Sequence, residues 1–286
     1  MTGRRWWLLC LAVVATGWIL AAEWVSIRHH VPENHFLDAL GGLVYLACGI
    51  VALDRRPGNA VGPLMVAYAL VSYLGNYGNL DAAVLPLLAM FGGQFTGPLI
   101  AHIALAYPSG RLRTGFDRFV VATIYASAVA ISLVEVLTFD PRASGCAGCP
   151  WEPAPWPDRA VAIGAMDAEQ RSALVLVPLF LVAVWLRLRR ASRAQRRDLG
   201  PLWLGVGLIC LVYLLDAFAS PVSDADSYSY FVWELQSVVQ LAVPVVFVWG
   251  LLSSRLARGA VGDLVLELER PRPPGELRAL LAGALG

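Results

Sequence analysis

Between two apolar runs, residues 172–186 and 202–219, the chain reads Arg187-Leu-Arg-Arg-Ala-Ser-Arg-Ala-Gln-Arg-Arg-Asp-Leu-Gly-Pro201. Arg187, Arg189, Arg190, Arg193, Arg196 and Arg197 place six guanidiniums in eleven residues. Such a cluster does not sit in hydrocarbon, and moving it across a membrane is unfavourable, so the stretch is expected to stay cytoplasmic. The apolar runs beside it then leave the cytoplasm and return to it. Every other apolar run must alternate around this point.

Eight runs are long enough to cross ~30 Å of hydrocarbon as helices. They are 6–22, 37–53, 61–77, 82–106, 119–139, 172–186, 202–219 and 231–252. The fourth is long, and Gly92-Gly93 or Gly97-Pro98 is expected to break or tilt it. Eight crossings put both termini on one side, and the arginine cluster predicts that side to be the cytoplasm of a cell-membrane protein. With this topology 18 of the 22 arginines lie inside and only Arg28, Arg142, Arg159 and Arg171 lie outside, as the positive-inside rule requires. Hydrophobic residues make up 58% of the chain and charged residues 15%, against roughly 25% in soluble domains. The expected fold class is therefore all-α. A polytopic bundle over residues 1–252 precedes a short cytoplasmic helix or linker over 253–286.

The net charge of +1 gives no reason to expect nucleic-acid binding. The chain has no lysine, which excludes a retinal Schiff base, a P-loop and a kinase lysine. It carries no G-x-S-x-G, no H-E-x-x-H and no Gly-rich phosphate loop, so no catalytic set, metal or cofactor is predicted.

Four constellations stand out. Glu135, Asp216 and Glu234 lie about one turn inside the outer ends of runs five, seven and eight, at one predicted depth. Glu234, Ser237, Gln240 and Pro244 follow helical spacing on run eight. A carboxylate at that depth needs water or a partner, so the set reads either as a pocket for a proton, cation or small polar ligand, or as interhelical hydrogen bonding. Gln94, Pro98 and His102 recur every four residues on run four and form a polar stripe. Helix–helix adhesion is the plainer reading of that stripe, and a moving kink the sharper one. Cys146-Ala-Gly-Cys149 falls in the longest outer loop. An intraloop disulfide or structural turn is the first expectation there, a redox sensor the second, and a metal site with His29, His30 and His35 the third. Arg189, Arg193, Arg196 and Arg197 share a face that suits anionic lipid or a cytoplasmic partner. In the tail, Ala257, Val261, Leu264 and Leu268 follow a 4-3-4 spacing that suits a coiled-coil seam, and a seam needs a second copy.

Several of these segments resemble, in order, the polytopic membrane input region of actinobacterial sensor histidine kinases. The residues concerned are Ala101-His-Ile-Ala-Leu-Ala-Tyr-Pro-Ser-Gly-Arg-Leu112, Asp140-Pro-Arg with Gly145-Cys-Ala-Gly-Cys-Pro150, and Arg189-Arg-Ala-Ser-Arg-Ala-Gln-Arg-Arg-Asp-Leu-Gly-Pro201. The segment from Arg255 to Gly286 is similar to the linker that precedes the cytoplasmic domains of that family. The resemblance implies a sensory membrane role, with a kinase domain or response regulator reached through further domains. It does not extend to kinase activity, because the chain has no phosphoacceptor motif, Asn-box or ATP lid. The expected function is a signal-input module relaying an outer or intramembrane stimulus to the tail. A proton-coupled or small-solute transporter is the alternative.

Overall fold

In the computed structural model the described residues are 3–31, 34–80, 85–139, 154–219, 226–241 and 243–245. They form α1 (Gly3–Arg28), α2 (His35–Arg55), α3 (Val61–Val71), α4 (Leu74–Tyr77), α5 (Leu85–Gly93), α6 (Thr96–Ala106), α7 (Gly115–Thr138), α8 (Arg159–Arg190), α9 (Arg193–Ala219) and α10 (Asp226–Gln240). No strand occurs among the described residues. Two units are distinguished, Met1–Pro244 and Val245–Gly286, and all ten helices belong to the first. Cys146, Cys149 and the tail seam lie outside the described residues.

Among the described residues, five segments are long and apolar enough to cross a membrane: Gly3–Arg28, His35–Arg55, Leu87–Ala106, Gly115–Thr138 and Arg159–Arg190. Leu202–Phe218 is a shorter apolar helix. Val13, Val14, Phe119, Val175 and Leu204 stand exposed on these helices. Outward apolar faces of this extent suit lipid rather than water.

Two of the expected runs are broken. Run three divides at Ser72-Tyr73, between α3 and α4, and run four at Gln94-Phe95, between α5 and α6. The second break lies between the two places where the glycines and Pro98 suggested it. Pro98 occupies the first turn of α6, where its missing N–H costs no helical hydrogen bond. Gln94 lies in the break itself, so Gln94, Pro98 and His102 do not share one continuous helix.

The sixth run is longer than its apolar stretch. Residues 159–171, expected in an outer loop, are the first turns of α8. Asp158 caps them, accepting from the backbone N–H of Ala160 at 3.0 Å and Val161 at 3.2 Å. At 32 residues α8 is about 48 Å long, more than the hydrocarbon needs.

The arginine-bearing ends meet. Arg4, starting α1, donates to the Asp54 carbonyl at the end of α2 at 3.0 Å. Asn59, between α2 and α3, donates to the Pro108 carbonyl between α6 and α7 at 2.9 Å. Arg187, ending α8, donates to the Leu105 carbonyl of α6. The basic turns read from the sequence thus gather at one end of the bundle. Thr114 and Asp117 form a capping box that opens α7 at this same end.

Close helix contacts rest on glycine at two places. A Cβ on Gly49 of α2 would lie 2.8 Å from Val66 Cγ2 and 3.0 Å from the Gly62 carbonyl oxygen, so α2 and α3 pack nearly backbone to backbone. A Cβ on Gly42 would lie 2.5 Å from the Tyr73 hydroxyl oxygen and closer still to its Cε2. Tyr73, in the α3–α4 break, is seated there by its hydroxyl, which donates to the Asp38 carbonyl and accepts from the Gly42 N–H at 3.1 Å.

Candidate functional site

At the end away from the arginine turns, a cavity of about 470 Å³ opens between α1, α2, the α3–α4 break and α10. The periodicity of α2 turns Asp38, Gly42 and Tyr45 to one side, and that side faces the cavity. α1 contributes Glu23 and Ser26, α3 contributes Tyr68, and α10 contributes Gln236, Ser237 and Gln240.

A polar network holds these groups. Ser237 donates to Asp38 Oδ1 at 3.0 Å. Tyr68 donates to Gln240 Oε1, and Tyr45 donates to the Gln240 carbonyl at 3.1 Å. The Tyr45 and Tyr68 rings lie 4.1 Å apart between centroids. Glu23 is buried, and its Oε2 lies 3.2 Å from His35 Nδ1. Ser26 Oγ is fully buried and meets no hydrogen-bonding partner among the described residues.

A second cavity, of about 340 Å³, lies between α6, α7, α8 and α9. Gly93, Thr96 and Gln236 line both cavities, so the two meet at the α5–α6 break. Gln94, Glu169, Tyr213 and Asp216 face the second. Gln94 Nε2 donates to Glu135 Oε2 at 3.3 Å and also engages Glu169. Tyr213 forms side-chain hydrogen bonds with Gln236 and Thr96 across the shared wall.

The predicted residues are divided by this arrangement. Glu135 is buried and tied to Gln94. Asp216 and Pro98 line the second cavity, and Gln240 lines the first. Glu234 is exposed on α10 and lines neither. His102 packs edge-on to Tyr125 at 5.9 Å and also lines neither. Glu135, Asp216 and Glu234 therefore do not converge on one pocket, although the sequence places them at one depth. Helical rotation, not depth, decides which cavity a side chain reaches. His29 and His30 close the end of α1, with His30 in the left-handed region at φ 54°.

Sequence reasoning passed over Glu23, Asp38, Glu169 and the three tyrosines. Asp38 sits in the first turn of a helix, where an acidic residue is ordinary, and tyrosines within apolar runs read as core. Glu169 was assigned to a loop. An acidic residue at the end of the first apolar run and at the start of the second was the available signal.

The lining of the larger cavity is polar and carries two carboxylates, and among the described residues no lysine, arginine or histidine lines it. No family model matches the chain, and neither the curated proteins nor the solved structures contain a match to it.

Proposed function

We propose that this chain is the membrane-embedded input module of a histidine-kinase-like signalling protein, and that the larger cavity receives its stimulus. In this reading the chain crosses the cell membrane eight times with both termini cytoplasmic. The arginine-bearing end faces the cytoplasm, and the cavity opens toward the outer face.

One observation carries the reading. The wall of the cavity is α10, whose Gln236, Ser237 and Gln240 line it, and α10 is the helix from which the sequence continues into the tail seam. An occupant of the cavity therefore touches the helix that leads to the tail. The network through Asp38, Tyr45 and Tyr68 ties that helix to α2 and α3. A change in occupancy that altered these bonds would bias the position of α10, as population shift between two packings requires.

The test uses the full chain in liposomes with Leu264→Cys as a reporter of pairing in the tail. Gln240→Ala, which changes the cavity wall, is expected to change the rate of disulfide cross-linking at Leu264→Cys. No net flux of protons or solutes is expected. Unchanged cross-linking together with flux would replace the sensor by a transporter. That second reading has one observation in its favour: the breaks at Ser72-Tyr73 and Gln94-Phe95 flank the cavity, as discontinuous helices do in transporters.

A further inference from the structure

We propose that the larger cavity binds a small organic ammonium ion, held by the Asp38 and Glu23 carboxylates, the rings and hydroxyl oxygens of Tyr45 and Tyr68, and the Ser26 hydroxyl. The inference deepens the input-module reading and rests on its claim that this cavity takes the stimulus.

Charge comes first. Two carboxylates line the cavity without a cationic side chain among the lining residues. Glu23 is positioned by His35, and Asp38, which accepts from the Ser237 hydroxyl, lies within the electrostatic reach of the same histidine. Two carboxylates sharing one histidine favour a cationic occupant, because an opposite charge offsets the desolvation of a carboxylate.

Hydrogen bonding points the same way. The hydroxyl protons of Tyr45, Tyr68 and Tyr73 are all directed to protein oxygens: the Gln240 carbonyl, Gln240 Oε1 and the Asp38 carbonyl. What Tyr45 and Tyr68 retain for an occupant is acceptor oxygen and the ring faces not turned to one another, and both attract cations.

Ser26 supplies an independent mark of an occupant. Ser26 is among the residues lining the cavity, and its Oγ is fully buried with no partner among the described residues. Buried hydroxyls are almost always hydrogen-bonded, so an N–H donor in the cavity completes it.

Size decides between an organic ion and a bare one. A water occupies about 30 Å³ of liquid volume, and a dehydrated monovalent ion needs no more than a few such places. The cavity, at about 470 Å³, falls in the range of small-molecule pockets. Three rings along its wall suit an ion with an alkyl body.

The test uses the full chain in uncharged maltoside micelles at constant ionic strength, read by thermal shift and titration calorimetry. The probes are n-butylammonium and choline, with n-butanol, butyrate and potassium as neutral, anionic and inorganic counterparts. Saturable binding of either ammonium ion is expected, with no saturable binding of n-butanol or butyrate. Asp38→Asn is expected to weaken ammonium binding at least tenfold, and Ser26→Ala two- to fivefold. Asp167→Asn, in the exposed Arg171–Asp167 pair, should leave it unchanged. If Asp38→Asn does not fold, Glu23→Gln and Ser26→Ala carry the same test. Equal binding of n-butanol, ammonium binding indifferent to all three cavity variants, or saturable binding of potassium alone would each overturn the proposal. Ammonium binding with unaltered Leu264→Cys cross-linking would leave this site standing and remove the input-module reading. The reverse pair of results would do the opposite.

Discussion

The Arg187 guanidinium on the last turn of α8 lies 3.9 Å from the Asp117 carboxylate on the first turn of α7; Asp117 is buried and Arg187 partly so. The same guanidinium donates to the Leu105 carbonyl near the end of α6. One residue of the arginine cluster is thus withdrawn from solvent and joins three helices. Its neighbour Arg189 stays at the surface, 4.5 Å above the Trp185 ring. The cluster is both a topological signal and a structural clasp.

Arg187→Met should destabilise the bundle strongly, because it strands a buried carboxylate. The expected loss is about 3–5 kcal/mol. Arg187→Met combined with Asp117→Asn should recover much of it, since no unpaired charge remains. Thermal unfolding of the four proteins in one detergent gives the coupling, and additive losses would show that the pair is not a clasp.

Gln240→Ala should cost more than Tyr68→Phe. The first leaves the buried Tyr68 hydroxyl without its acceptor, a penalty of about 1–3 kcal/mol, whereas the second removes the hydroxyl itself. Chemical unfolding of the two variants and their double mutant measures the difference. Equal losses would mean that the Tyr68–Gln240 bond does not hold α10 to α3.

Gly42→Val should be poorly tolerated, because even a Cβ at this position overlaps the Tyr73 ring. Overpacking of this kind costs typically about 1–3 kcal/mol. Tyr73→Ala in the same chain should relieve the overlap. The melting temperatures of the single and double variants decide this, and a single variant as stable as the parent would show that the two helices are free to part.

Cysteines introduced at Gln195 and Trp156, in a background without native cysteines, should react from opposite sides of intact cells. Gln195 is exposed beside the arginine turns and Trp156 is exposed at the far end of the bundle. An impermeant maleimide should label the Trp156→Cys protein and spare the Gln195→Cys protein. The reverse pattern would invert the proposed sidedness.

Much of the architecture was legible because the constraint behind it is local. A run of apolar residues long enough for hydrocarbon must be helical, since backbone groups have no other partner there. The arginine turns therefore separated α1, α2, α7, α8 and α9 in advance. The breaks were less legible. Gly92, Gly93 and Pro98 announced one of them, but nothing in the composition near Ser72-Tyr73 did, because that break is held by Tyr73 reaching Asp38 and Gly42 on another helix. The outer turns of α8 were missed for the opposite reason. They are polar, and only the Asp158 cap and the good helix formers after it marked them as helical.

By itself the sequence determined that the chain is helical, that its helices suit a membrane, and where its basic turns fall, since transfer and insertion energies act on each segment separately. Only the tertiary structure decided that Asp38 and Ser237 meet while Glu135 and Glu234 part. That depends on how each helix is rotated about its axis, and rotation is set by contacts between side chains far apart in the chain.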